Sequence, residues 1–462
     1  MIFHKHYILA FLLILVCGTS CKKFLDIEPR GKVMLKTISD FDLLLNGRGL
    51  TSSGNSYLNL MTDECDKPTI KSDDYSSDAL SYLWQEQLTA DAGKPPVIWT
   101  EAYTNIYVYN AVINQVENAT TGSVLEKKKL KAEALLGRAF EYLYLVNMYA
   151  KPYNKATADV DLSVPFVNST DINTKTPARA TVNFMYNQIL NDINAALPDL
   201  VKGNNPNKFR GSVNAAYSVL ARAYFWKNDY TEAAKYAALA LADPANGLLD
   251  LNTFAAPGDM PAMIASKQEI YARYGTTPIQ TLASDINFLK TFSEGDLRLK
   301  MYYVNVSLNY APVETIDFTK LKRGDILFYP QGPVPSFGTS VAEMKLIIAE
   351  AAARSGNLSL ALTHLNELRV SRMSNKKPYQ PYESSDPEMV LQQILMERRH
   401  ELASNGMRWI DMRRLDVEKR ISAINRFDAN GKVIMTLQPN SKQYVLKIPT
   451  NVLGFNPDMP QN

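Results

Sequence analysis

Histidine and cysteine are scarce in this chain. Of 462 residues, four are histidine and three are cysteine. His4, His6 and Cys17 fall within the first twenty residues, which leaves His364 and His400 for the body. A transition-metal centre built on imidazole and thiolate ligands therefore lacks its donors. His400-Glu401 resembles the start of a zinc-protease helix, but Ser404 stands where the second histidine belongs. Nucleotide-binding and acyl-transfer signatures are also missing. Gly47-Arg48-Gly49 lacks a third glycine and a strand–helix setting, and no Gly-x-Ser-x-Gly elbow occurs. Charge of one sign is absent too: 50 Lys+Arg against 47 Asp+Glu leave a net charge of +3, so no global field recruits nucleic acid.

What is present is an ordinary globular composition, 46% hydrophobic and 21% charged, with 25 tyrosines against 17 phenylalanines. The first twenty residues read as a targeting segment. Lys5 precedes an apolar run over residues 7–16, too short to span a bilayer. Small residues Gly18-Thr19-Ser20 then lead to Cys21. This pattern predicts a lipoprotein signal over 1–20 with Cys21 acylated. Cys17 is the competing position, but bulky Val16 precedes it. With Cys21 as a thioether, Cys65 stands alone and a disulfide framework is excluded. Two or more acyl chains would anchor the protein stably, at about 0.8 kcal/mol per buried methylene.

Residues 22–50 read as a tether, and 51–98 as polar and loop-rich. Helical spacing begins at Trp99, Tyr103, Ile106 and Asn110. A second helix is predicted over 126–149. Thr181 caps a third that Pro198 stops. Two hairpins follow the same pattern: 213–226 with 231–242, and 341–355 with 358–372. Residues 387–403 form one more helix. The tail from Asp411 reads as turns and extended pieces. Between the hairpins, 243–340 carries Pro, Gly and Thr clusters and reads as loops with short strands.

The two hairpins share small residues at matching places, Ala221 and Ala233 in the first and Ala349 and Ala361 in the second. Alanine at such positions lets two helices approach closely while larger neighbours fill the grooves. The spacing matches the tetratricopeptide helix–turn–helix repeat. Leu136-Gly137-Arg138-Ala139-Phe140 looks like a first helix of the same type, partnered by the helix after Thr181. A generic helical bundle with alanine-rich interfaces is the alternative. The predicted fold is mostly α, with tetratricopeptide-type hairpins supporting a loop-rich face with short strands.

Several segments in order resemble the SusD/RagB family of nutrient-binding outer-membrane lipoproteins. They are Phe24-Leu25-Asp26 with Pro29, the helix from Trp99 to Asn110, Tyr149-Ala150-Lys151-Pro152, and Arg179-Ala180-Thr181 through Leu197-Pro198. The run Glu397-Arg398…Glu401…Arg408-Trp409…Asp411…Arg414 and the ending Ile448-Pro449…Asn456-Pro457…Gln461-Asn462 complete the set. The resemblance spans nearly all of 21–462, in three parts: 21–242, 243–340 and 341–462. It implies a helical scaffold that captures a nutrient, commonly a glycan and in some members a peptide. It further implies delivery to a SusC-like TonB-dependent transporter and an outer-membrane address by lipid anchor, with no cofactor. A surface-facing position is the expectation, although Lys22-Lys23 stand where surface-displayed members often carry acids, which leaves the leaflet open.

Sugar recognition pairs aromatic faces with polar side chains on the hydroxyls. Trp84 is the one tryptophan in a polar stretch, with Tyr75 and Tyr82 close by. Tyr271, Arg273, Tyr274, Tyr302 and Tyr303 form a second candidate group in the later loop-rich part. By contrast Trp99, Tyr224, Trp226 and Trp409 read as packing residues. Asp63-Glu64 with Asp66, and Asp73-Asp74, read as solvated or cation-binding acids in flexible loops. The Glu397-to-Arg414 set reads as an ion-pair lock between the last long helix and the chain after it. A binding module is the leading reading. An envelope scaffold without small ligand and a glycosidase built on a carboxylate pair are the alternatives.

Overall fold

Side-chain caps set where the helices begin. The computed structural model describes residues 35–53, 57–89, 91, 93–275, 282–313, 321–328 and 336–462. The targeting segment, Cys17 and Cys21 lie outside these residues. Residues 37–462 form one unit by their contacts. Thr37 opens α1 (Ile38–Leu45) with a capping box to Asp40. Two short helices follow, α2 (Tyr57–Leu60) and α3 (Ser77–Tyr82), the latter capped by Ser76. Next come α4 (Val97–Gln115) and α5 (Val124–Tyr149), the second with a Ser123–Glu126 capping box. Thr181 caps α6 (Val182–Ala196) as the sequence predicts. Ser212 and Asp229 cap α7 (Val213–Trp226) and α8 (Tyr230–Leu241). In the later part, Asp285 and Asp296 cap α9 (Ile286–Leu289) and α10 (Leu297–Tyr302). Ser340, Asn357 and Asp386 cap α11 (Val341–Arg354), α12 (Leu358–Val370) and α13 (Pro387–Glu401). Then come α14 (Met407–Val417) and the short α15 (Thr450–Phe455).

The hairpins α7–α8 and α11–α12 pack as pairs, α5 packs on α6, and α8 and α13 both pack on α11. Ala221, Ala233, Ala349 and Ala361 are fully buried, so the small-residue seams are where the spacing places them. Among the described residues there are also ten short strands. β1 (Leu162–Pro165) pairs with β2 (Arg179–Thr181). β3 (Glu269–Tyr271) leads into β4 (Leu282–Ala283), β5 (Tyr303–Asn305), β6 (Ala311–Pro312) and β7 (Ile326–Phe328). These last four form an antiparallel sheet in the order β4-β7-β5-β6. β8 (Thr339–Ser340) pairs with β3, and β9 (Ile424–Phe427) forms a hairpin with β10 (Val433–Leu437).

One core cluster runs through α4 to α8, α11 and α14. A second joins Leu60, Ile70, Tyr82 and Leu83 to Leu282, Phe288, Phe292, Tyr303 and Phe328. The two loop-rich stretches of the sequence thus share one core. The predicted loops of 51–98 contain α2 and α3, whose interior faces are supplied by that later stretch. Helix α14 departs from the predicted extended tail. Its buried residues include Asp411, Arg413, Arg414 and Asp416, so hydrophobic periodicity fails where the inward face is charged.

Of those inward charges Asp411 and Arg414 are ion-paired, while Arg413 donates to the Ala150 carbonyl and Asp416 accepts from the Asn440 amide. Arg414 grips Glu350 of α11 with two hydrogen bonds of 2.6 and 2.9 Å, and Asp411 accepts from both Arg414 and Arg398 at 2.8 Å. Arg372 holds Glu401 at 2.8 and 2.6 Å, and Arg298 reaches Asp296, Glu397 and Glu401 at 2.7 to 3.1 Å. The expected lock is present and extends into the loop-rich stretch through Arg298. Arg222 joins α7 to Glu343 of α11 at 2.8 and 2.6 Å, and Arg138 joins α5 to Asp192 of α6 at 2.8 Å. Such pairs fix geometry, and removing one partner costs about 3–5 kcal/mol.

Helices α4 and α5 meet at Gly137. A Cβ there would lie 2.3 Å from the Tyr109 ring, which is itself buried. Gly137→Ala is expected to lower stability by about 1–3 kcal/mol in urea unfolding. Unchanged stability would mean that the Tyr109 ring has room to move.

Candidate ligand-binding cleft

Arg426 leaves β9 pointing inward and organises the turn that forms a cleft floor. Its guanidinium lies 4.1 Å from the centre of the Tyr82 ring and 4.2 Å from that of Trp84. It donates to the carbonyl oxygens of Leu60, Thr62, Cys65 and Tyr82 at 2.7 to 3.0 Å. Burial lowers its pKa, and the four carbonyls take the place of a carboxylate. The segment from Asp63 to Asp66 is thereby held beside the β9–β10 hairpin, α13 and the start of α9. Together they enclose an open cleft of about 1050 Å³.

Most of the charged groups around this cleft are ion-paired. Arg408 clamps Asp63 at 2.8 and 2.7 Å, with Arg399 at 3.3 Å. Burial pushes the Asp63 carboxyl up, but Arg408 and Arg399 outweigh it and hold it far below the ordinary range. Arg323 clamps Asp66 at 2.6 and 2.5 Å, and the Tyr82 hydroxyl donates to the same carboxylate at 3.2 Å. Arg420 holds Glu388 at 2.6 and 3.0 Å. Burial pushes the Glu64 carboxyl up to about 8, so it carries a proton near neutrality. Burial also pushes the Cys65 thiol up to about 12, which makes it inert. Asn287, Ser422 and Asn425 are exposed along the rim, and Ile421, Ile424 and Phe427 give it apolar surface. Polar groups preset by neighbours, next to apolar patches in a site of little net charge, suit a neutral ligand rich in hydroxyls.

The acids Asp63, Glu64 and Asp66, predicted to be solvated or cation-binding, instead face guanidinium groups, Glu64 and Asp66 buried and Asp63 half-buried. Asp73 and Asp74 do lie in an exposed turn. No group of three metal-ligating side chains occurs among the described residues. His400 stacks on Phe292 at 4.0 Å and shares a hydrogen bond with the Thr291 hydroxyl at 2.8 Å. Burial lowers its pKa and keeps it neutral.

Of the predicted aromatic group, Tyr75 is 71% exposed and Tyr274 38%. Tyr274 pairs with Phe209 at 5.0 Å, which makes a half-open aromatic face. Trp84 requires correction: it is 1% exposed, and its Nε1 donates to the Met61 carbonyl at 2.8 Å. The polar stretch around it folds over the core, so the ring offers no face to a sugar. Tyr82 is buried for the same reason and reaches the cleft through its hydroxyl partner Asp66. Tyr271 and Arg273 are interior as well. The guanidinium lies 3.8 Å from the Tyr271 ring centre, which packs edge-on against Phe140. Tyr303 is buried between Phe292 and Phe328, and half-buried Tyr302 stacks on Phe328 at 6.1 Å. The cleft residues Arg323, Asp285, Asn287 and Asn425 carry no local motif. Arg408 was visible as a charge, but its partner Asp63 is 345 residues away.

Residues 23–225 match a family described as "Starch-binding associating with outer membrane", and residues 341–462 match the SusD family. The chain belongs to the SusD/RagB family. No curated protein matches it. Solved structures with the same fold include a SusD superfamily protein from Bacteroides thetaiotaomicron, 20% identical with a TM-score of 0.69, covering 92% of this chain and 99% of that one. Another, from Bacteroides fragilis, is 21% identical with a TM-score of 0.70, covering 92% and 100%. A laminarin-binding SusD-like protein is 18% identical with a TM-score of 0.63, covering 92% and 99%. At these identities the likeness establishes the fold, mostly helical with few short strands.

Under the Arg273 side chain, Glu141 is 1% exposed and accepts hydrogen bonds from the Ser53 hydroxyl and, at 3.0 Å, from Asn105. Burial pushes its carboxyl up to about 7. A carboxyl raised above its unfolded value of 4.5 adds stability below that pH and loses it as pH rises through about 7. Urea unfolding is expected to show stability falling between about pH 5 and pH 8. Glu141→Gln, which keeps the acceptor oxygen, is expected to shrink that fall. An unchanged difference between the two pH values would contradict this assignment.

Proposed function

We propose that the protein is an outer-membrane lipoprotein, acylated at Cys21, that binds a glycan and passes it to a SusC-like TonB-dependent transporter. The observation that carries the glycan reading is the cleft at Asp63–Asp66. Arg408 and Arg323 clamp Asp63 and Asp66 there, while Asn287, Ser422 and Asn425 are exposed along a partly apolar rim. Membership of the SusD/RagB family and the laminarin-binding fold neighbour support the same reading. In it Asn287 and Asn425 bond sugar hydroxyls, and Phe427 lies against C–H faces of the ring. Tyr75 and the Phe209–Tyr274 pair serve as outlying faces for a longer chain. The protein captures its ligand and does not transform it: Asp63 and Asp66, the two carboxylates at the centre of the cleft, are each clamped by an arginine.

Affinity for soluble starch and laminarin tests this directly. Wild-type protein is expected to bind at least one member of a glycan panel containing both. Asn287→Ala and Phe427→Ala are each expected to weaken that binding by about tenfold, the loss of one or two contacts. Unchanged affinity with an intact circular dichroism spectrum would remove the cleft from the account. Binding of peptides and of no glycan would overturn the ligand class.

A further inference from the structure

The first turn of α5 exposes two large apolar side chains that the fold does not use. Val124 is 71% exposed and Leu125 70%, whereas Leu130, farther along the same helix, is 5% exposed and belongs to the core. Beside them the sequence reads Lys127-Lys128-Lys129-Leu130-Lys131. Lys127 donates to the carbonyls of Glu117 and Ala119, and Lys131 pairs with Glu117 at 3.0 Å. Lys128 and Lys129 are exposed and make no salt bridge among the described residues, with Lys129 acting only electrostatically on Glu133. An exposed apolar pair next to unpaired cations is the surface chemistry of a membrane contact.

Where the chain enters the described body points to the same occupant. The Ile38 amide donates to the Thr121 hydroxyl at 3.0 Å. The Ile38 side chain fills the space above Gly122, where a Cβ would lie 2.8 Å from it. The body therefore begins against the residues that immediately precede Val124. Upstream, the fifteen residues 22–36 lie between Cys21 and Thr37. Fully extended, they reach about 55 Å at most. Between them Lys22, Lys23, Arg30, Lys32 and Lys36 outnumber Asp26 and Glu28. The sequence between Cys21 and the body is thus basic, and the body begins beside an exposed apolar pair and two exposed lysines.

We propose that Val124, Leu125, Lys128 and Lys129 form a docking surface for an anionic, phosphate-bearing lipid leaflet. The proposal rests on the lipid-anchor reading above. The two apolar side chains enter the headgroup boundary, and the lysines lie against lipid phosphates. A lipid anchor alone does not fix the orientation of the body. A second contact beside its point of attachment holds the body in one orientation to the membrane.

Leu125→Trp provides the test, because the native tryptophans Trp84, Trp99, Trp226 and Trp409 are all buried. The full chain is reconstituted in vesicles of phosphatidylcholine with about one third phosphatidylglycerol, with brominated acyl chains as quencher. The intact mass of the protein reports separately on acylation at Cys21. Leu125→Trp protein is expected to be quenched where wild type is not. Adding Lys128→Glu and Lys129→Glu is expected to lower the docking constant by about fivefold or more per lysine. An acylated protein with no quenching at position 125, or with quenching indifferent to the two charge reversals, would overturn the proposal. If Cys21 proves unacylated, the anchor reading falls. The docking surface then stands or falls on whether the unanchored Leu125→Trp chain sediments with the same vesicles and is quenched.

Discussion

Buried guanidinium–carboxylate pairs hold this molecule together. Helical hairpins with alanine seams pack closely, but packing alone leaves register between successive hairpins weakly specified. Arg222 with Glu343, Arg138 with Asp192, and Arg414 with Glu350 each join different helices through two parallel hydrogen bonds. A planar fork meeting a planar carboxylate tolerates little rotation or sliding. Burial pushes the carboxyls of Glu350, Glu401 and Asp411 up, yet the guanidinium groups around them outweigh it and hold all three below their ordinary values. They stay ionised in the interior because their partners are already in place. Moving such charges out of water is costly, so the arrangement is better understood as fixing geometry than as adding stability.

The same interaction builds the cleft. Arg298 and Arg372 tie the loop-rich stretch and the end of α12 to Glu397 and Glu401 on α13, which also lines the cleft through Arg399. Arg408 and Arg323 then fix Asp63 and Asp66 on the opposite side. A site assembled from segments hundreds of residues apart becomes a preset surface of little net charge. Preset polar groups lower the ordering cost of binding, which matters for a ligand whose hydroxyls already bond well to water.

Much of the helical scaffold was legible in the sequence. Thr181 as a cap and the bounds of α7 follow from local rules, since caps and apolar periodicity are local physics. Helix α14 was not legible, because its inward face is charged and the partners, Glu350 and Arg398, lie elsewhere in the chain. The candidate site was read least well. Trp84 sits among polar residues in sequence, yet it is buried because Arg426, more than 340 residues later, packs on its ring and draws the turn over the core. Tyr75 and Tyr274 kept exposed faces, while Tyr82, Tyr271, Arg273 and Tyr303 went inside. Polarity of neighbours in sequence is a poor guide to exposure where long-range ion pairs fold polar segments inward.

Buried ion pairs through Arg298 attach the loop-rich stretch to the helical scaffold. Amide hydrogen exchange on Arg298→Met protein tests this attachment most directly. The account predicts faster exchange across residues 282–313, with α7 and α8 protected as in wild type. Exchange in 282–313 equal to wild type would contradict it.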